Sequence, residues 1–274
     1  DGIFETEECI HLLEATTSRK VEKAKDDSKK LNNLAIKYQG LKTHKAIRCW
    51  LVTRDDPTAD QRRAVEKYKN ILTILSFAQF QSRLVDVRSY MAARSNYPFG
   101  SVRDPVTGNI RPKIGYVHLL LAELEKEKIY KPDDIVDFIR QGERVVLLGD
   151  YGAGKSMTLQ YIYLSLCRQY NEGQSPIFPV YINLRDHSGQ SDPAEIIERH
   201  ARIIGFEQPG HLVRAWRAGY VYLLLDGFDE VTSLSIQGLW RKLTDNRYRA
   251  MEPVRRIVSQ HPTQMGLALA GRAH

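Results

Sequence analysis

An α/β architecture, with a parallel doubly wound sheet preceded by a smaller α/β domain, follows from three features of the sequence. Residues 149–156 read GDYGAGKS, a glycine-rich turn between a short apolar run and a helical repeat. A second apolar run over 220–225, YVYLLL, ends in the acidic string Asp226-Gly227-Phe228-Asp229-Glu230. Around these landmarks strand-like segments alternate with helical ones. That alternation is the pattern of a parallel sheet with helical crossovers and ligands at the carboxyl ends of its strands.

From the N-terminus the expected order is strand, strand, helix, strand, helix, strand, helix, over 1–4, 9–16, 19–38, 45–53, 59–68, 71–76 and 78–93. The last of these helices is amphipathic through Phe80, Leu84, Val87 and Met91. Turn residues Pro98, Gly100, Pro105, Gly108, Asn109 and Pro112 predict a linker over 96–118, which leaves domains at 1–95 and 119–274. Roughly 95 residues are enough to bury a small core.

Beyond the linker, Arg144-Val145-Val146-Leu147-Leu148 suits a buried parallel strand. After the glycine-rich turn, Leu159, Ile162, Tyr163, Leu166, Cys167 and Tyr170 recur at helical spacing. A strand is expected within FPVYINLRDH (178–187). A helix then opens with Asp192 as cap and Pro193 at its first position, and stops at Gly205. A short helix over 211–218, the strand over 220–225 and a last strand in LALAGRAH (267–274) complete the order.

GDYGAGKS satisfies the GxxxxGK[ST] pattern of a phosphate-binding loop, in which several backbone N–H groups point inward at one anion. Gly149, Gly152 and Gly154 permit positive φ and close backbone approach. Asp150, Tyr151, Ala153 and Met157 complete the cradle, Lys155 reaches the β- and γ-phosphates, and Ser156 offers its hydroxyl to Mg²⁺. The phosphate would lie at the N-terminus of the following helix, where orphan amides favour negative charge. Asp226, on a strand adjacent to that of the loop, is placed to hold the metal. Asp229 or Glu230 would polarise the attacking water, with Asp229 favoured.

LLLDGFDE together with LLGDYGAGKS resembles the NACHT branch of the signal-transduction (STAND) ATPases, a P-loop NTPase module of animal innate-immune receptors and bacterial antiphage proteins. The resemblance runs over residues 120–274. It implies ATP or ADP with Mg²⁺ as cofactors, slow switch-type hydrolysis, and self-association on activation. It also implies that the strand in LALAGRAH ends in a sensor, so that Arg272 would contact the γ-phosphate. The helical and winged-helix subdomains which that family places over the nucleotide are not within the sequence. The resemblance therefore implies part of a longer switch protein, with a phage or stress trigger sensed beyond His274.

The opening hairpin brings Asp1 almost opposite Glu14, with a tight turn near Glu7 and Glu8 and Thr16 on the face of Glu14. Two carboxylates converging from neighbouring strands make a divalent-metal site. This resembles the PD-(D/E)xK restriction-endonuclease fold over residues 1–95, which implies Mg²⁺ held by Asp1 and Glu14 and DNA as substrate. The position of the usual lysine is Thr16, and Lys20, just past the strand, is the candidate to replace it. The alternative is a degenerate module that only recruits partners; an ATP-driven DNA motor ranks third.

The net charge of +7 and the pI near 9.2 are compatible with a polyanionic partner, and Arg19, Lys20, Lys23, Lys25, Lys29 and Lys30 cluster close to Glu14. Glu22, Asp26 and Asp27 interrupt that run and make it a mixed-charge helix face. Cys9, Cys49 and Cys167 are far apart and form no CxxC, and there is no HExxH, so neither a disulfide framework nor a zinc site is indicated. No run approaches the ~20 apolar residues of a membrane span and no secretory signal is present, so a cytoplasmic protein without a membrane partner is expected.

Overall fold

The computed structural model describes residues 2–5, 8–41, 44–100, 116–187, 189–228 and 251–272. The chain divides into two compact α/β units, Asp1–Leu84 and Val85–His274.

In the first unit β1 (Gly2–Glu5), β2 (Cys9–Thr16), β3 (Ala46–Thr53) and β4 (Leu72–Ser76) form a four-stranded sheet in that order. β1 and β2 are antiparallel with Gly2 facing Leu13, the pairing of the predicted hairpin, while β2, β3 and β4 are parallel. Parallel neighbours need crossovers. These are α1 (Val21–Leu41), and α2 (Ala59–Val65) with the 3₁₀ turn Glu66–Tyr68. α1 buries Ala24, Asp27, Leu31 and Ala35, a stripe at helical spacing, and its apolar members pack on Ile10, Leu12, Cys49 and Leu51. Because side chains alternate across a strand, Leu13, Trp50, Val52 and Leu75 fall on the other face, against Phe77 and Phe80.

The single helix expected over 78–93 is two helices, α3 (Phe77–Ser82) and α4 (Val87–Ser95). Each has its own cap. Ser76 and Gln79 form a capping box on α3, and the Asp86 carboxylate accepts the Ser89 N–H to start α4. The apolar periodicity runs across the break, but a carboxylate that caps locally wins over continuing the helix. The division between the units falls between Leu84 and Val85, so α4 belongs to the second.

The second unit continues with a two-stranded ribbon, β5 (Leu121–Ala122) and β6 (Ile129–Tyr130), and then α5 (Pro132–Arg140). β7 (Arg144–Leu148) leads into α6 (Lys155–Asn171). β8 (Phe178–Asn183) is followed by a 3₁₀ turn (Leu184–His187), α7 (Pro193–Ile203) and α8 (Pro209–Arg217). β9 (Val221–Asp226), α9 (Glu252–Gln260) and β10 (Leu267–Gly271) complete it. The Asp192 carboxylate accepts the N–H groups of Ala194 and Glu195 at the start of α7, and Gly205 takes φ 79° past its end.

All four strands of this sheet are parallel, in the order β7-β10-β9-β8. The expectation that Asp226 lies on the strand next to the glycine-rich loop's strand is therefore corrected: β10 lies between β7 and β9. A second correction concerns β7, which forms one edge of the described sheet. Val146 and Leu148 on it are about half exposed, unlike a strand buried on both faces. β8 and β9 are buried along their whole length, and the core between sheet and helices gathers Ile135, Ile139, Leu159, Ile162, Tyr163 and Leu224. No helix among the described residues is long and apolar enough to cross a membrane.

Three histidines in this unit are buried and neutral. Trp216 Nε1–H donates to His261 Nδ1 at 3.0 Å, which leaves the proton on Nε2 to face the Gly266 carbonyl at 3.2 Å. Burial pushes His187 and His261 down to about 4, and His200 well below the ordinary value of 6.5. A base whose folded pKa is depressed lends stability that is complete above its unfolded pKa and lost as pH falls towards the folded one. The contribution of these histidines should therefore be constant above pH ~7 and fall as pH drops below ~6.5, by about 3 kcal/mol at the limit for each of His187 and His261. Calorimetric melts across that range check this, and His261→Asn should flatten the profile; an unchanged profile in that variant would show that His261 is not a source of the loss.

Candidate functional site

The carboxyl ends of the four parallel strands finish together. Leu148 pairs with Gly271, Ala270 with Asp226, and Asp226 with Asn183. The glycine-rich loop, Arg272, Asp226 and Asn183 thus leave the sheet at one end, where a doubly wound fold binds its ligands.

Within the loop, Gly152 and Gly154 take φ of 79° and 82°, the left-handed region that glycine alone enters without strain. Gly149 answers a different need: a Cβ there would lie 3.2 Å from the Ala153 Cβ, so the site requires close packing rather than positive φ. Gly154 is the cap residue of α6 and has no side chain to offer, so the first amides of that helix receive no side-chain cap. Such an end has the chemistry of an anion site. The Lys155 ammonium folds back onto its own loop, donating to the carbonyls of Gly149 at 2.7 Å and Asp150 at 2.8 Å. Ser156 is half-buried one residue further on, while Tyr151 is exposed at the loop's tip. The Arg272 guanidinium lies over the Tyr151 ring, 5.5 Å from its centroid, so Arg272 and the loop are neighbours.

Asp226 is buried, and its Oδ2 accepts a hydrogen bond of 2.6 Å from the Tyr181 hydroxyl of β8. Ser156 and Asp226 converge from different elements on one backbone position, Gly100. A Cβ built there would lie 2.8 Å from Ser156 Oγ and 3.2 Å from Asp226 Oδ2. Hydroxyl and carboxylate oxygens that meet in this way are the hard donors that Mg²⁺ takes. Asp229 and Glu230, the candidates for the water-polarising base, lie outside the described residues.

Tyr181, Asn183 and Gly100 are the neighbours of Asp226 that reading the sequence overlooked. Tyr181 and Asn183 sit in a run that reads as plain buried strand. The available signal was that a tyrosine hydroxyl buried in a strand must find a partner. Gly100 was read as linker, and nothing local connects it to residues more than 50 positions away.

In the first unit Glu14 lies near the end of β2 and is buried. Residues of its register, Ile10 and Leu12, face α1, and the ammonium of Lys30 from α1 pairs with Glu14 Oε1. Lys30, rather than the expected Lys20, thus supplies the cation at this carboxylate. Lys20 is exposed ahead of α1, with its backbone N–H on Ser18 Oγ. Thr16 accepts the Ser18 N–H, and Asp1 lies outside the described residues. Asp27, also buried on α1, pairs with Lys23 at 2.7 Å through Oδ1, while its Oδ2 has no partner. Arg19 pairs with Asp55 at 2.9 Å, so three members of the basic cluster are already matched by carboxylates. Among the described residues no group of three or more His, Cys, Asp or Glu is placed to hold a metal.

No family model matches the chain, and no curated protein matches it.

The Tyr181 hydroxyl fixes one oxygen of Asp226, and outer groups of this kind typically change metal affinity by about 10- to 100-fold. Tyr181→Phe keeps the ring and its packing, so that if Asp226 holds Mg²⁺ beside a nucleotide the change should weaken Mg²⁺-dependent nucleotide binding about tenfold. Titration of a fluorescent nucleotide against Mg²⁺ measures it; an unaltered Mg²⁺ dependence would remove Tyr181 from the site.

Proposed function

We propose that the second unit is a nucleotide-dependent switch of the NACHT type, binding ATP or ADP with Mg²⁺ and hydrolysing ATP slowly, and that it controls the first unit through self-association. The observation that carries this reading is the convergence at one end of a parallel sheet: a GxxxxGKS loop with two left-handed glycines, the uncapped N-terminus of α6, and buried Asp226 facing Ser156. In this reading the loop amides and Lys155 receive the β- and γ-phosphates, and Lys155 exchanges its two carbonyl partners for phosphate oxygens. Ser156 and Asp226 would hold the magnesium, whose bound charge neutralises the phosphate oxygens. Arg272 would respond to whether a γ-phosphate is present, and its place over the Tyr151 ring of the loop supports that role.

For the first unit we propose a restriction-endonuclease-like effector acting on DNA, as part of bacterial antiphage defence. The antiparallel hairpin, the parallel strand that follows α1, and the burial of Glu14 near the end of β2 support it. A second reading, a catalytically inactive interaction module, is favoured by Thr16 at the usual lysine position and by the pairing of Glu14 with Lys30.

Loss of the Lys155 ammonium removes charge-assisted bonds to phosphate, so Lys155→Ala should weaken ATP binding by about a hundredfold and remove the cellular response. Calorimetric titration with Mg²⁺ and ATP decides it, and wild-type affinity in that variant would count against the switch. Glu14→Gln separates the two readings of the first unit: it should abolish Mg²⁺-dependent plasmid cleavage by the activated protein, whereas an interaction module would keep its defence phenotype.

A further inference from the structure

Past the end of α4 the chain crosses the metal side of the candidate nucleotide site. Tyr97, Pro98, Phe99 and Gly100 form a strap that is held by side chains from four elements. Arg94, fully buried in the last turn of α4, donates Nη1–H to the Tyr97 carbonyl at 2.7 Å and Nη2–H to that of Pro98 at 3.3 Å. Its Nε–H reaches the Tyr181 carbonyl at 3.1 Å, and its guanidinium lies 3.8 Å from the centroid of Phe99. The Phe99 ring packs at 5.4 Å from Tyr163 of α6 and 4.9 Å from Tyr181 of β8. The Tyr97 hydroxyl donates to Asp186 Oδ2 at 3.1 Å. Asn183 closes the far end, accepting the Gly100 N–H on Oδ1 and donating from Nδ2 to the Pro98 carbonyl, each at 3.3 Å.

The tip of the strap is where the arrangement bears on function. Gly100, at φ +62°, rests against Ser156 and Asp226 so closely that a side-chain carbon would lie 2.7 Å from the Ser156 Cβ. These are the two residues to which the switch reading gives the metal. Bound Mg²⁺ keeps a near-octahedral shell, usually including several waters, at about 2.1 Å from the ion. That shell and a backbone packed onto both of its protein ligands compete for the same space.

We propose that the strap of residues 97–100 is an intramolecular brake on magnesium–nucleotide loading: docked between Ser156 and Asp226 it competes with the hydrated metal, and metal-bound nucleotide displaces it. The proposal rests on the reading of Ser156 and Asp226 as the metal residues. It adds that the resting form is kept from Mg²⁺ by the chain's own backbone. Metal-free nucleotide, which needs the loop amides and Lys155 but not the Ser156–Asp226 face, escapes the brake. The contacts that hold the strap also reach Asp226 through Tyr181, whose ring packs on Phe99 and whose hydroxyl binds the carboxylate. Undocking and reshaping of the metal site are therefore one event.

The test is Tyr97→Phe in the chain of residues 1–274, which deletes only the hydroxyl that ties the strap to Asp186. A fluorescent ATP analogue is titrated in the presence of Mg²⁺ and again in EDTA. The brake requires Mg²⁺-nucleotide binding to tighten about tenfold while affinity in EDTA stays within about twofold. Gly100→Ala, in which the added methyl pries the tip from Ser156, should act in the same direction. In the wild type, hydrogen exchange at 97–100 should quicken with Mg²⁺ and nucleotide but not with nucleotide in EDTA. Equal or weaker Mg²⁺-nucleotide affinity in both variants overturns the brake and leaves the nucleotide site standing. A wild type that binds no nucleotide under either condition overturns the site and the brake together.

Discussion

The register of four parallel strands is the constraint on which the second unit depends. Leu148, Gly271, Asp226 and Asn183 end at one level because β10 is inserted between β7 and β9 and every neighbouring pair is parallel. Parallel hydrogen bonding allows no hairpin shortcut, so each strand returns through a helix, and every connection past a strand's carboxyl end opens on the same side. A glycine-rich loop, a buried carboxylate and an arginine thereby become neighbours although they lie far apart in the sequence. A slip of β9 by one residue would turn Asp226 to the opposite face and undo the arrangement.

The first unit uses a related device with a different balance. Its hairpin joins an otherwise parallel sheet, and α1 brings two lysines over two buried carboxylates, Glu14 and Asp27. Two charges of each sign, close together and partly withdrawn from water, stabilise one another only while all four remain; removing one leaves a buried charge without its counterpart. A nuclease centre and an inert ionic clasp both fit this description, and they differ in whether Lys30 yields Glu14 to a metal. The answer lies in the competition between an ammonium on a flexible stem and a divalent ion for the same oxygen.

How much of this could be read from residues alone follows the range of the signal. The glycine-rich loop, the strands of Val145 and Leu224 and the cap at Asp192 announce themselves within a few positions, since dihedral needs and side-chain periodicity are local. The order of strands is not local, and so Asp226 was expected beside β7 when β10 lies between them. The break between α3 and α4 was hidden because apolar periodicity persists through it while the deciding event is one carboxylate accepting one N–H at Ser89. Lys30 replaces Lys20 at Glu14 because nearly three turns of helix carry it back over the sheet, a distance that sequence proximity misjudges. Gly100 carries no sign of its role: it is an ordinary turn glycine until the sheet brings Ser156 and Asp226 to either side of it.

Arg94 has a consequence beyond holding its neighbours. It is a full positive charge with no exposure to solvent, and its described partners are three neutral carbonyls and the faces of Phe99, Tyr181 and Tyr97. Dipoles and ring quadrupoles solvate such an ion without cancelling its field. Burial is what chiefly resists the proton at His200, and the Arg94 charge adds to it; at Cys167 burial pushes the thiol up to about 12, and Arg94 offsets only part of that rise. Being fully buried, that charge is one that surface salt is poorly placed to screen.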